Sequence, residues 1–222
     1  LSPRGTPMFP LAGSPEESGG CAAWVRVNPV QFVLPPGTTE TVRYTIQVPP
    51  GTPAEGCNAS ILFTSAPLRR TGTANQIFTR VRMASILYVT VGHPTVAGRL
   101  ADISLAPPAA SGQPWQMQLR IANTGPTFFR ASGTAALVNA SGQAVASFDL
   151  GSQVVLAQTS RVLRFALKTP PAPGQYQLRA RVEMGLPAIQ QIEKEVAIGG
   201  AVPVAPGAKA APAQPVPHGA SQ

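Results

Sequence analysis

The stretch NPVQFVLPPGTTETVRYTIQVPPG, residues 28–51, places an alternating apolar run between two proline-glycine turns. Four apolar residues occupy every second position of that run: Val42, Tyr44, Ile46 and Val48. The residues between them are polar, and such period-two alternation is typical of an antiparallel strand with one buried face. We therefore expect a strand here that turns these four side chains inward.

A similar arrangement recurs about 120 residues later, in VLAQTSRVLRFALKTPPAPG, residues 155–174. In both stretches a proline-rich connection separates an alternating strand from the next strand. Proline has no backbone donor to give to a sheet, and glycine permits the turn into the following strand. We interpret the repeat as a corner at which the chain leaves one sheet for another, which predicts an all-β chain of two tandem immunoglobulin-like β-sandwiches.

Composition and periodicity set the expected boundaries. The 25 prolines and 21 glycines argue against long helices. Alternation begins near Cys21, and we expect an irregular lead-in at 1–20, a first immunoglobulin-like domain at 21–95, a second at 96–198, and a disordered Pro/Ala-rich tail at 199–222. The first domain is expected to contain a polar hairpin at 66–76 and one long strand from Ile77 towards Gly92. In the second, four residues should point inward: Tyr176, Leu178, Ala180 and Val182.

Seventeen Lys and Arg residues against nine Asp and Glu residues give a net charge of +8. This excess favours an anionic partner, such as an acidic cell-wall polymer, although a basic exported protein can also use it only to stay in solution. No run of 18 or more apolar residues occurs, so the sequence predicts no transmembrane segment. The chain begins at Leu1 without signal-peptide features, which indicates a processed chain or a fragment.

The two cysteines, Cys21 and Cys57, each precede a predicted strand. If successive strands reverse direction, both strand starts lie at the same end of the first sandwich, and a disulfide can join them. The alternative, two unlinked small residues, stays open at this point.

Six arginines are the candidate binding residues, because two guanidinium groups on one strand face can hold a carboxylate or phosphate. They form three pairs: Arg69 and Arg70, Arg80 and Arg82, and Arg179 and Arg181. The alternative is a solvated outer face that discourages edge pairing. Aromatic residues do not alternate with these arginines, so nucleic-acid binding is not expected.

The sequence offers little for catalysis. Its two histidines are His93 and His218, and neither accompanies a nucleophile motif or a glycine-rich phosphate loop. Three glutamates near the last strand, Glu183, Glu193 and Glu195, are expected to be solvated charges rather than an acid-base pair. We predict a non-enzymatic protein with no catalytic residues, cofactor or metal; a hydrolase would have to depend on His93.

The stretch AAWVRVNPVQFVLPPGTTETVRYTIQVPPGTPAEGCNASILFTS, with ILYVTVG after it, resembles bacterial envelope proteins related to the PapD-like periplasmic pilus chaperones. It is also similar to peptidoglycan- and host-binding domains of Gram-positive surface proteins. NTGPTFFRASGTAALVNASGQAV and PGQYQLRARV resemble the companion domain, so the resemblance spans about residues 21–198. It implies a periplasmic or extracellular protein that binds a pilin-like or envelope protein by strand addition. The alternative is a surface module that binds cell-wall polymer or host protein through basic faces.

One departure from that family concerns the start of the chain. The family's first domain opens with about three strands before the tryptophan strand, whereas only 20 irregular residues precede it here. We therefore expect an incomplete first sandwich, truncated at its start, with open edges that invite a strand from another chain.

Overall fold

The computed structural model describes residues 20–70 and 77–199. The predicted lead-in up to residue 19, the tip of the polar hairpin at 71–76 and the predicted tail from residue 200 lie outside the described residues. Regular structure in the described part is β throughout, apart from one 3-10 turn at Ala22–Trp24. The all-β prediction is therefore confirmed.

The amino-terminal unit, residues 20–70 and 77–92, contains six strands. They are β1 (Val25–Asn28), β2 (Arg43–Ile46), β3 (Gly56–Thr64), β4 (Leu68–Arg70), β5 (Ile77–Thr79) and β6 (Arg82–Thr90). These strands form three separate antiparallel pairs, β1 with β2, β3 with β6, and β4 with β5. No wider sheet joins these pairs in the described part of the unit.

The carboxy-terminal unit, residues 98–199, contains eight strands. They are β7 (Gly98–Ala106), β8 (Gln116–Asn123), β9 (Phe129–Asn139), β10 (Ala144–Asp149), β11 (Gln153–Val155), β12 (Ser160–Ala166), β13 (Gly174–Glu183) and β14 (Gln190–Ile198). One sheet has the order β7-β8-β12 and the other the order β10-β9-β13-β14, with β11 also paired to β9. All of the pairings are antiparallel.

Alternate side chains of both sheets fill one hydrophobic core in the carboxy-terminal unit. Ile103, Met117, Leu119 and Ile121 come from the first sheet and are fully buried. From the second sheet come the four residues that the sequence predicts to point inward, and all four are buried: Tyr176, Leu178, Ala180 and Val182. Period-two alternation therefore located this core correctly.

The proline-rich connections leave one sheet for another, as the repeat predicts. The first leads from β2 to β3 and the second from β12 to β13, and in each case the two strands belong to different sheets. The sequence PPGT occurs twice, at 35–38 and 49–52, and folds both times into the same turn. In each turn the threonine N–H and hydroxyl both donate to the carbonyl of the first proline, and the glycine has a positive φ, 76° at Gly37 and 80° at Gly51. This is the geometry of a type II turn with Pro and Gly at its centre.

Asn123, at the end of β8, holds the turn predicted at NTGP. Its side chain is almost completely buried, and its Nδ2 donates to the carbonyl oxygens of Thr127 at 2.8 Å and of Val155 at 3.0 Å. Its Oδ1 accepts a hydrogen bond from the Gly125 N–H at 2.9 Å. One side chain thereby satisfies three backbone groups and links the β8–β9 turn to β11.

Replacing Asn123 with alanine is expected to lower the free energy of unfolding of the carboxy-terminal unit by about 2 kcal/mol. Alanine leaves buried backbone groups without partners, and each such group costs about 1–3 kcal/mol. Urea denaturation followed by Trp115 fluorescence would measure the loss. Thr124→Ala, at an exposed neighbouring position, is the control and should change stability by less than about 0.5 kcal/mol; equal losses in the two variants would contradict the role assigned to the Asn123 amide.

Two expectations for the amino-terminal unit are wrong. The face formed by Val42, Tyr44, Ile46 and Val48 is not buried: Tyr44 is 51% exposed and Val48 is 42% exposed. Alternation identifies an apolar face, but burial needs a second layer, and the short β1–β2 pair has none of comparable size over it in the described residues. The expected long strand is also interrupted, since β5 ends at Thr79 and β6 begins at Arg82.

The interruption has a local cause across the ladder. The Ser65 N–H donates to the Val81 carbonyl at 2.9 Å, and the Val81 N–H donates to Oγ of Ser65 at 3.0 Å. Pro67 then offers no backbone donor, so the regular ladder cannot continue opposite residues 80–81.

Candidate protein-binding surface

Exposed apolar side chains are concentrated in the amino-terminal unit. The large ones there are Val30, Phe32, Val33, Leu34, Tyr44, Val48, Leu62, Phe78, Val81 and Met83. In the described carboxy-terminal unit the corresponding residues are Val145 and Ile189. Soluble domains seldom expose so many large apolar groups in one region unless that region binds something.

The amino-terminal unit also lacks a core of ordinary size. Its buried hydrophobic residues within the described ranges are Cys21 and Ala59. Cys21 is joined to Cys57 by a disulfide, with 5.8 Å between the Cα atoms, so of the two alternatives left open by the sequence the bonded one is present. The bond connects the turn before β1 to the start of β3.

The longest element of this unit is the β3–β6 ladder, in which nine residues of each strand are paired in register. Ala59, Ile61 and Phe63 of β3 lie on one face, and across from them lie Leu87, Ser85 and Met83 of β6. The opposite face also carries apolar residues, namely Leu62, Ile86 and Tyr88. Each strand has one edge with no strand paired to it among the described residues, so the ladder is a two-stranded sheet that is apolar on both faces.

One end of this ladder is fastened to the carboxy-terminal unit. The Gly56 N–H donates to the Pro126 carbonyl at 2.9 Å, and the rings of Tyr88 and Phe128 lie 5.1 Å apart. A side chain at Gly56 would collide with Thr127. The guanidinium of Arg130 lies over the Tyr88 ring, 5.7 Å from its centre, a cation–π geometry.

Arg161 borders the same joint. It donates from Nη1 to the Val154 carbonyl at 2.7 Å, while its Nε is buried without a partner among the described residues. Burial lowers the pKa of this guanidinium, and the charge interaction with Tyr88 opposes that shift. The joint holds the end of the ladder at Gly56 and Thr90, whereas the end at Thr64 and Arg82 continues through Ser65 and Val81 towards the β4–β5 pair. The exposed Leu62 and Met83 lie close to this second end.

A second exposed apolar segment connects β1 to β2. Val30 and Val33 are each 88% exposed, and Leu34 is 54% exposed. The segment has no strand partner and ends at the turn at 35–38. It therefore adds unpaired backbone as well as apolar area to the surface of this unit.

The arginines predicted from sequence lie on different elements of the fold. Arg69 and Arg70 lie on β4, with their backbones paired to Phe78 and Ile77. Arg80 lies between β5 and β6, so the prediction that Arg80 and Arg82 share a strand face is wrong, because the ladder is interrupted at residues 80–81.

The third pair, Arg179 and Arg181, lies on the exposed face of β13. The Nη2 and Nε of Arg179 donate to the Gln177 Oε1 at 2.6 and 2.9 Å, and Nε lies 3.4 Å from Glu193 Oε1. Gln177 in turn donates to Glu193 Oε2 at 2.8 Å. This local network occupies Arg179 and makes it a poor anion receptor.

Residues that could take part in catalysis or metal binding are few in the described residues. His93 is exposed in the connection between the units, and Glu183, Glu193 and Glu195 are exposed as the sequence suggests. Within residues 20–70 and 77–199, no three His, Cys, Asp or Glu side chains come together as metal ligands would. The described residues include no helix with the length and apolar character needed to cross a membrane.

No family model matches this chain, and no curated protein matches its sequence.

Proposed function

We propose that the chain is a non-enzymatic, exported binding protein whose amino-terminal unit accepts an extended segment of another envelope or pilus protein along an open strand edge. The observation that carries the proposal is the isolated β3–β6 ladder, which is apolar on both faces and open at both edges. A two-stranded sheet is marginally stable in water, and a third strand adds backbone hydrogen bonds together with apolar cover. Strand addition thus supplies backbone hydrogen bonds at the open edge and cover for the exposed apolar side chains.

The architecture that we propose is two tandem immunoglobulin-like sandwiches. Support comes from the carboxy-terminal unit, where a three-stranded and a five-stranded antiparallel sheet share one core. The Tyr176 hydroxyl donates to the Ala172 carbonyl at 2.8 Å, and Tyr176 lies near the start of β13. This is the arrangement of the tyrosine corner in immunoglobulin-like sandwiches.

Export is supported by the Cys21–Cys57 disulfide, because such bonds persist in oxidising compartments and are rare in the cytosol. A periplasmic or extracellular setting also agrees with the resemblance to the PapD-like pilus chaperones. The proposed partner is a pilin-like or envelope protein that presents an extended segment. Alternate residues of that segment should be apolar, so that one set covers Ile61 and Phe63 while backbone groups pair with an open edge.

The test compares two double variants that each replace two exposed apolar residues with lysine. Leu62→Lys with Met83→Lys places charge on the β3–β6 ladder, whereas Val145→Lys with Ile189→Lys places it in the carboxy-terminal unit. The probe is a synthetic peptide of alternating valine and threonine as long as β3. We expect the first variant to weaken peptide binding at least about tenfold, because edge charges oppose strand pairing, and the second to change it less than about twofold.

Fluorescence of anilinonaphthalene sulfonate, a dye that binds exposed apolar surface, provides a parallel readout. The unmodified protein should enhance the dye emission, and Leu62→Lys with Met83→Lys should reduce that enhancement. Circular dichroism of each variant checks that it is folded. Absence of peptide binding by the unmodified protein, or equal losses in the two double variants, would contradict the proposal.

A further inference from the structure

The outer face of sheet β7-β8-β12 carries a set of cations that the predicted arginine pairs do not include. Its exposed arginines are Arg99 on β7, Arg120 on β8 and Arg164 on β12. They alternate with the core residues of the same strands, so they stand on the solvent side of the sheet.

The register places these three arginines on one diagonal. Arg164 is opposite Gln118, Arg120 is two residues further along β8, and Arg99 is opposite Ala122, a further two residues along. Each step therefore moves one strand across and two residues along. With strands about 4.8 Å apart and a rise of about 3.3 Å per residue, successive Cα atoms are about 8 Å apart.

Acidic groups do not neutralise this diagonal in the described residues. One carboxylate shares this face: Asp102 lies directly opposite Arg120, but it accepts a hydrogen bond from Lys194 Nζ at 3.0 Å and forms its ion pair with that lysine. None of the three arginines forms an ion pair with a described residue. By contrast, the outer face of the other sheet mixes Arg179 and Arg181 with Glu193 and Glu195.

We propose that the Arg99–Arg120–Arg164 diagonal binds a linear polysaccharide that carries carboxylates. Guanidinium groups pair with carboxylates through two parallel hydrogen bonds, and repeated charges along an extended polymer match a row of evenly spaced cations. In the same cross-strand row as Arg164, the face offers the Gln118 amide and the Ser104 hydroxyl, which can hydrogen-bond to sugar hydroxyls. The site is separate from the strand-accepting surface and does not depend on it.

Other polyanions fit this face less well. Single-stranded nucleic acid needs aromatic side chains on which bases can stack, and the residues that share the face include none: Ala106, Gln116, Ala166, Val162, Ala122 and Ser160. A membrane surface is usually bound with large apolar side chains beside the charges, and these neighbours are small or polar.

The experiment uses the full chain with soluble polygalacturonate as the probe, titrated calorimetrically at low ionic strength. Arg120→Gln with Arg164→Gln is compared with Arg179→Gln with Arg181→Gln, which removes the same charge from the other sheet. We expect the first pair to weaken binding about tenfold, and its affinity to depend less on salt because fewer charge contacts remain. The second pair should bind within about twofold of the unmodified protein.

Equal weakening by the two double variants would overturn the proposal, because it would show attraction to net charge alone. The same conclusion would follow if the unmodified protein did not bind polygalacturonate, or if it bound single-stranded DNA or anionic phospholipid vesicles more tightly. Retained peptide binding by Arg120→Gln with Arg164→Gln would show that the strand-accepting surface is intact, so failure of either proposal can be recognised separately.

Discussion

Reducing the Cys21–Cys57 disulfide is expected to unfold the amino-terminal unit while the carboxy-terminal unit keeps its fold. Cys21 and Ala59 are the buried hydrophobic residues of the amino-terminal unit within the described ranges, so packing contributes little to its stability. A disulfide that closes a loop of 36 residues stabilises by about 4 kcal/mol in the chain-entropy model. Without it, three separate two-stranded pairs have too little buried area to remain folded.

The two tryptophans allow each unit to be followed alone, since Trp24 lies in the amino-terminal unit and Trp115 packs against the core of the other. With Trp115→Phe, reduction should shift the Trp24 emission to longer wavelength without denaturant. With Trp24→Phe, the denaturation midpoint reported by Trp115 should be the same before and after reduction. Cys21→Ser with Cys57→Ser should reproduce both results, and an unchanged Trp24 emission would show that the disulfide is not what maintains this unit.

Leu178→Ala is expected to be the most damaging single truncation in the carboxy-terminal unit. Leu178 is fully buried on β13, the strand between β9 and β14 at the middle of the larger sheet. Truncating a buried leucine costs about 2–5 kcal/mol, because apolar contact is lost and a cavity remains. For a unit of this size a loss of about 3 kcal/mol lowers the melting temperature by roughly 15 °C. Thermal denaturation followed by Trp115 fluorescence would measure the shift.

Tyr44→Ala is the matched comparison, because Tyr44 shows the same period-two pattern in the sequence but is half exposed in the structure. We expect it to change the stability of its unit by about 1 kcal/mol or less. A large effect of Tyr44→Ala, or a small effect of Leu178→Ala, would mean that burial in the two units is the reverse of what the structure describes.

Tyr44 and Leu178 also show how far the sequence predicts the fold. Both alternate with polar neighbours, and both belong to strands next to a proline-rich connection. Alternation depends on local geometry, so strand positions and the apolar face of each strand could be predicted. Whether that face is covered depends on a second sheet, and the strand pattern around Tyr44 contains no information about one.

The candidate sites were predictable to different degrees. The sequence allowed a Cys21–Cys57 disulfide, provided that successive strands reverse direction, but left two unlinked cysteines as an alternative; the bond is present. The arginine diagonal could not be found in this way, since Arg99, Arg120 and Arg164 come together only through the register of three strands. Arg179 and Arg181 were selected because they lie two residues apart on one strand face. The strand pattern does not show that Glu193, which lies opposite Arg179 on β14, and Gln177 bind the Arg179 guanidinium.

The two units differ in whether their sheets pack against a second layer. The carboxy-terminal sheets close around a core, and the Lys194–Asp102 ion pair joins their rims. The amino-terminal ladder is fastened at Gly56 and Tyr88, and neither of its strand edges is paired with a further strand among the described residues. We propose that the carboxy-terminal unit supports the β3–β6 ladder, to which a partner strand can add.

Residue-resolved amide hydrogen exchange, with and without the valine-threonine peptide, tests this account most directly. Amides of β8, β9 and β13 should exchange slowly in both samples, because they lie within sheets that share a core. Amides of β3 and β6 should exchange quickly in the free protein and become protected when the peptide binds. Slow exchange of β3 and β6 in the free protein, equal to that of β9 and β13, would contradict the claim that this ladder is an open acceptor.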